Sequence, residues 1–309
     1  MSLAFFILAH KNARQIERLF QAIYRPEDVI VLHFDRRAAP SLHRLGQELA
    51  RHHPNVHVLP SRSILWGGYQ MAAAQIAGME VALRASNTWH HFINLTGQDF
   101  PIKPIAELDA HLGSQPEANY VSWFDPVFNP LWSNARERLS RYYLEWPWLE
   151  RLLRVPGIGR RIRKLFGWQN RLPHIPRYER TWPDFHYYGG ANHVILSRAG
   201  CDYLVSHPEA RRLTRWLAHS AHANEIIFQT VLLNSPLART IVNGHLREID
   251  FPPHTPHPRT FRAADFDRLV ASPNFFARKF DESVDSVILD RLATHIGAVS
   301  ANRYSAAHS

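Results

Sequence analysis

Near the C-terminus Arg278 and Lys279 stand side by side, with Phe275, Phe276 and Phe280 around them. Two adjacent fixed cations can neutralise the charge that builds on a departing diphosphate. Arg offers a planar fork and Lys a compact charge, so the pair is not redundant. A merely solvated basic pair has no need of three phenylalanines. Upstream, Asn224-Glu225-Ile226-Ile227-Phe228-Gln229-Thr230 places one carboxylate at the start of an apolar helical pattern, where it can take the proton of an attacking hydroxyl. The plainer reading of Glu225 is an acidic residue that stabilises a helix N-terminus. Taken together, the two motifs point to transfer of a group from a sugar nucleotide, with Glu225 as base and Arg278 and Lys279 on the leaving group.

Two other chemistries compete. The twenty histidines raise a metal-dependent hydrolase, but His219 and His222 are spaced i, i+3, and His254 and His257 likewise, without the i, i+4 pair and embedded glutamate of a zinc protease helix. Surface or loop histidines are the plainer expectation. A net charge of +9 raises nucleic-acid binding, yet the charge is concentrated. Residues 134–182 hold twelve Arg and Lys against four Glu. There the cations interleave with Trp146, Trp148, Leu152, Ile158, Ile162, Leu165 and Trp168 at roughly helical spacing, which reads as a basic aromatic-rich helical insertion. Such a stretch either rests on an anionic membrane surface or packs its apolar side on its own domain. No nucleic-acid partner is expected.

The elements that must position these residues follow an α/β rhythm. Leu3 to Ala9, Val29 to Phe34, Val56 to Leu59, Phe92 to Leu95 and Tyr120 to Phe124 read as strands, and Ala13 to Ile23, Ser41 to His52, Tyr69 to Ala85 and Ile105 to Leu112 as helices. A mostly parallel sheet places ligands at the carboxyl ends of its strands. His10, Asp35-Arg36-Arg37 and Thr96-Gly97-Gln98-Asp99 stand at such ends. Val194 to Leu196 and the helix Ala199 to Ser206 continue the pattern, with strands near Thr240 to Asn243 and Leu246 to Asp250. The Pro/His-rich stretch Phe251 to Pro258 is expected to end it. The chain of 309 residues is read as one domain, residues 1–309, and its single cysteine and apolar Leu3 to Ala9 run without a basic leader make a cytoplasmic location the default.

At Phe5 to Arg37, Ile64-Leu65-Trp66-Gly67-Gly68, Phe92 to Lys103, Tyr188 to Ser197, Asn224 to Ser235 and Phe275 to Asp281 the sequence resembles the core-2/I-branching N-acetylglucosaminyltransferase and peptide O-xylosyltransferase family, as a bacterial-type relative. The tryptophan-diglycine element leans toward the xylosyltransferase branch. The resemblance implies a GT-A type fold and an inverting, metal-independent transfer of xylose or N-acetylglucosamine from a UDP-sugar to a hydroxyl of a saccharide or glycoconjugate, with no cofactor beyond the donor. It implies that Asp35 and Arg37 hold uracil and ribose, that Trp66 and Gly67 shape the same pocket, and that Arg259 is a third cation beside Arg278 and Lys279; His10 completes the donor set. Asp99 stands where other GT-A enzymes keep a metal-binding Asp-X-Asp. Here no second aspartate follows, so Asp99 is expected to touch the donor sugar or orient a neighbouring cation. Arg138, Arg141, Trp182 and Tyr187 are acceptor contacts by position. A lipid-linked acceptor at the inner face of the membrane, in surface polysaccharide or lipopolysaccharide assembly, accounts for the basic insertion.

Overall fold

The computed structural model describes residues 2–65, 67–125, 135–143, 145, 151–153, 155–166, 174–179, 185–253, 255 and 257–298. Strand β1 (Ser2–Ala9) lies inside a seven-stranded sheet because its residues suit both faces. Leu3, Phe5 and Ile7 point to one core and Ala4 and Phe6 to the other, the two-residue alternation of a pleated strand. Helices α1 (Ala13–Ile23) and α2 (Pro40–His52) follow β1 and β2 (Val29–Phe34). Beyond β3 (Val56–Val58), α3 (Gln70–Ala85) covers the opposite face. It lies close to the sheet through Gly78, where a Cβ would stand 2.5 Å from the Phe6 ring.

The chain continues through β4 (Trp89–Thr96), β5 (Asp99–Pro101), α4 (Ile105–Gly113), β6 (Asn119–Val121), α5 (Ala135–Ser140), β7 (Arg141–Tyr143), α6 (Ile158–Phe166) and β8 (His174–Glu179). It then enters β9 (Val194–Ser197), α7 (Arg198–Ser206), α8 (Pro208–Leu217), α9 (Ile227–Leu233), β10 (Ile241–Val242) and β11 (Arg247–Ile249), and closes with α10 (Phe266–Val270), β12 (Phe276–Arg278) and α11 (Val287–His295). The large sheet runs β10-β6-β9-β4-β1-β2-β3, with β9 antiparallel to both its neighbours. Buried Asn94 stabilises that reversal, accepting from the Val194 N–H at 2.6 Å and donating to the Asn192 carbonyl at 3.0 Å. A mostly parallel sheet with one internal reversed strand and helices on both faces is the α/β architecture of GT-A type that the resemblance implies.

Two expectations are corrected. The packed pattern does not end at Phe251 to Pro258: β11, β12 and β5 form a second sheet, and α11 buries Ile288, Leu289 and Leu292 in the same core as β1. Apolar side chains beyond the proline-rich stretch supply the burial that draws it back. The insertion is also not wholly helical, because β7 and β8 pair antiparallel within it.

The C-terminal segment is fastened to the loop after β1. Asp281 accepts from Lys11 Nζ at 2.6 Å and from Asn12 Nδ2 at 3.2 Å, while buried Gln15 donates to the carbonyls of Gly97 and Phe280. The Lys11 hydrogen bond and then that of Ser283 hold the Asp281 carboxyl at about 2, below its ordinary 3.8. A depressed folded-state value means the tie contributes fully above the unfolded carboxylate range and is lost as pH falls toward about 2. Asp281→Asn is therefore expected to lower the urea midpoint at neutral pH, with the gap from wild type closing in that acid window. A pH-independent gap in urea melts would count against the tie.

Candidate active site

The carboxyl ends of β1, β2 and β4 open onto a cleft of about 480 Å3 whose wall includes His10, Asp35, Arg37, Thr96, Gln98 and Arg278. These residues come from four separate strands or their following loops, the place where an open α/β sheet leaves room for a ligand.

Arg278 reaches the cleft through sheet register. It is the direct ladder partner of Asp99 across the antiparallel β12–β5 pair. Its Nη1 hydrogen-bonds the Thr96 hydroxyl and lies 3.5 Å from Asp99 Oδ1. Asp99 itself is buried and accepts from the Thr96 N–H at 2.5 Å. Behind it, buried Arg247 donates to the carbonyls of Asn94 and His245. Burial pushes the Arg247 guanidinium down to about 10, with Asp99 opposing and Arg278 adding to that change. The carboxylate at position 99 thus lies in the field of two guanidinium groups, a poor setting for another cation.

His10 borders the same space. Burial, then the charge of Lys11, lowers its pKa, and Arg278 and Lys279 contribute, so both members of the cation pair act on this imidazole. Asp35 is almost wholly internal: it accepts from the Arg37 backbone at 2.8 Å, from Arg37 Nη2 at 3.0 Å and from the Ile64 N–H at 3.0 Å. Burial alone would raise its pKa, but the hydrogen bonds from Arg37 and Ile64 outweigh it and leave the carboxyl below its ordinary value. Asp35 therefore fastens the loop after β3 to that after β2. Arg37, with its side chain 45% exposed, is the more accessible of the two.

Glu225 ends a 3-10 turn, Ala223–Glu225, just before the buried helix α9 instead of lying within it. Its backbone oxygen accepts from the Gly190 N–H at 2.8 Å, and a Cβ at position 190 would stand 1.8 Å from the Ser122 oxygen. The carboxylate is one-third exposed, 4.0 Å from Arg138 Nη1 and 3.7 Å from His222 Nδ1. The His222 N–H donates to the Gly67 carbonyl at 2.7 Å. Gly67, at φ +78°, adopts a backbone that side chains rarely tolerate and brings the loop after β3 against the His222 ring. Met71 lines the cleft and its sulfur lies 3.5 Å from Asn224 Nδ2. Glu225 itself is not among the residues that line the cleft; Met71 and Asn224 link its turn to that space.

Other expected site residues fall elsewhere. Arg259 is not among the residues that line the cleft; its guanidinium pairs with Asp250 at 2.6 Å and Asp265 at 2.5 Å on the C-terminal segment. Tyr187 packs in the core against Phe185 and Trp216. Lys279, half-buried, follows Arg278 and accepts at its backbone from the Phe261 N–H at 2.9 Å. Arg141 lies on β7, while Trp66 and Trp182 fall outside the described residues. The expectation of surface histidines is corrected for His33, His91 and His193, all buried. Among the described residues no three His, Cys, Asp or Glu side chains converge as a metal site would need.

Sequence reasoning missed Arg247 and Glu145. Glu145 reaches from the basic insertion to accept from the Tyr69 N–H and, at the first residue of α3, the Gln70 N–H. Its carboxylate caps a helix whose preceding loop carries Gly67. Gly68 leaves room for it there, since a Cβ would stand 2.7 Å from that carboxyl. As one of four glutamates in so basic a segment, Glu145 carried no positional signal.

Comparison with known proteins places the chain in a family. The chain is 28% identical to xylosyltransferase 2 of Rattus norvegicus over 316 aligned residues, covering 95% of this chain and 33% of that protein. It is 27% identical to xylosyltransferase 1 of Canis lupus familiaris over 311, covering 94% and 30%. It thus spans about a third of the length of these relatives. The crystal structure of galactosyltransferase LgtC with donor and acceptor sugar analogs aligns over 99% of this chain and 98% of its own at 9% identity and a TM-score of 0.41. The family model described as Core-2/I-branching enzyme matches residues 3–142 and 158–273, so the chain belongs to the Core-2/I-branching enzyme family.

Proposed function

We propose that this protein is an inverting, metal-independent glycosyltransferase that moves xylose or N-acetylglucosamine from a UDP-sugar to a hydroxyl of a saccharide or lipid-linked glycoconjugate. The observation that carries the reading is the placement of Arg278, opposite Asp99 across two strands, on the wall of the cleft at the strand ends. In the proposed reaction the acceptor oxygen forms a bond to the anomeric carbon as the bond from that carbon to the diphosphate oxygen breaks. Glu225 takes the acceptor proton and UDP leaves with the electron pair. Attack from the face opposite the leaving group inverts the anomeric centre and yields a β-linkage from an α-linked donor.

Metal independence is supported by charge. The leaving diphosphate meets Arg278 and Lys279, and the carboxylate that would attract a divalent ion already lies among guanidinium groups. The xylosyltransferase relatives favour xylose as the transferred sugar. Among the described residues no helix is long and apolar enough to cross a membrane; we place the enzyme on the cytoplasmic side, in surface polysaccharide or lipopolysaccharide assembly. Calorimetric titration with UDP, GDP and a panel of UDP-sugars in excess chelator tests the reading. Binding of UDP in preference to GDP without a divalent ion is expected. A strict requirement for added Mn2+ or Mg2+ would overturn the cation-pair assignment, and preference for GDP would overturn the donor.

A further inference from the structure

The basic insertion presents a surface that the proposed chemistry does not use. Helix α6 runs from Ile158 to Phe166 and carries Arg160, Arg161, Arg163 and Lys164. None of these four forms an ion pair with a described residue, and from Arg151 through Tyr178 the sequence contains no Asp or Glu to balance them. A soluble helix ordinarily turns its apolar stripe inward. Here Ile158, Ile162 and Leu165 recur at i, i+4 and i+7, yet Leu165 is 80% exposed and Ile158 46%, with Val155 just before the helix at 42%. Single exposed aliphatics are ordinary. Three within eleven residues, beside four cations without a carboxylate, form a patch of mixed character.

The helix does have an inner side, and this fixes its orientation. Gly159 is buried, and a Cβ there would stand 2.0 Å from the Leu153 carbonyl oxygen. Leu153 is itself buried. With Gly159 inward, Ile158, Arg161 and Leu165 face outward together, with Arg160 and Lys164 alongside.

We infer that this face of α6, together with Val155, docks on an anionic lipid bilayer, aliphatic side chains entering the acyl boundary and guanidinium and ammonium groups meeting headgroup phosphates. Charge complementarity selects an anionic surface, and the exposed aliphatics select lipid over nucleic acid. A phosphate backbone rewards the cations but offers nothing to Leu165, Ile158 or Val155, whereas a bilayer interface rewards both. The same insertion contributes Arg138, 4.0 Å from Glu225, so the docking face and a neighbour of that carboxylate belong to one stretch of chain. The link to a lipid-linked acceptor rests on the proposed transferase reading; the docking itself does not, and is measured without donor or acceptor.

The test is co-sedimentation of the full chain with vesicles of phosphatidylcholine alone and of phosphatidylcholine with phosphatidylglycerol. Binding to the anionic vesicles only is expected. The triple variant Arg160→Glu/Arg161→Glu/Lys164→Glu should lower the partition coefficient roughly a hundredfold or more, since each basic residue near such a surface is worth about a fivefold change. Ile158→Ser/Leu165→Ser should lower it by about tenfold at unchanged charge. All substituted positions except Ile158 and Leu165 are charged surface sites, and those two are exposed, so thermal melts should match wild type. Equal sedimentation with neutral vesicles, no loss in either variant, or binding to an oligonucleotide duplex with none to anionic vesicles would overturn the inference.

Discussion

Glu225→Gln is expected to leave UDP-sugar binding intact and to lower the rate of transfer by about 10²–10⁴-fold, the range a positioned general base supplies. The substitution preserves the volume and backbone of the turn, so the bond from the Gly190 N–H to the Glu225 carbonyl persists. What disappears is the proton acceptor. Arg138 at 4.0 Å and His222 at 3.7 Å lie beside the carboxylate without a hydrogen bond to it, and an amide of the same size still fits between them. Because Glu225 is not among the residues that line the cleft bearing Arg278, calorimetry should give a donor affinity within error of wild type while single-turnover transfer collapses. Donor hydrolysis adds a second readout: water ionises without the help an acceptor hydroxyl receives only if another base is present, so hydrolysis should fall with transfer. Turnover retained at the wild-type level would move the base role to another residue, and loss of donor binding would show that Glu225 shapes the donor pocket.

How much of this was legible in the sequence depends on the length of the element concerned. Helix α1 and strand β2 were readable to the residue, because six to eleven residues of regular alternation or helical spacing state both type and boundary. β5 and β12 were not. Each has three residues, they lie far apart in sequence, and nothing local in Asp99-Phe100-Pro101 or Phe276-Ala277-Arg278 announces that they pair. The local chemistry of Arg278 was visible while its partner was not, because the partner is fixed by nonlocal register. Arg259 shows the converse: its place beside the motif suggested a third cation, but Asp250 and Asp265 are nearer competitors for its fork. The burial of Tyr187 was hidden for a related reason, since an aromatic in a loop-like stretch reads as exposed until Trp216 of α8 and Phe185 close around it. The buried histidines carry the same lesson, for burial comes from neighbours distant in sequence.

Arg278→Ala is expected to cost about 10²–10³-fold in transfer, the loss that follows removal of one preorganised group facing developing charge. Unlike the change at Glu225, it should also weaken UDP binding in chelator, because the diphosphate is anionic in both ground and transition states. The larger share belongs in kcat if the guanidinium is aimed where charge grows as the anomeric bond breaks. The geometry supports such aim: Thr96 and Asp99 fix the side chain from one side, and cross-strand pairing fixes its backbone. Lys279→Ala alone should have a smaller effect, its charge lying beside His10 without a ladder partner of its own. The double variant should lose less than the product of the two single losses, as groups serving one oxyanion are not additive. Removing Arg278 also strips the buried Asp99 of a cation at 3.5 Å, so a fold defect has to be separated from a chemical one. Arg278→Lys makes that separation: it keeps the charge near Asp99 but lacks the fork, and should restore the thermal midpoint while recovering only part of the rate. Full rescue of Arg278→Ala by added Mg2+ would show that a divalent ion can do the same work in the same place. Wild-type rates in Arg278→Ala without any metal would show instead that the leaving diphosphate is held by other groups and that the cation between the phenylalanines has only a structural role.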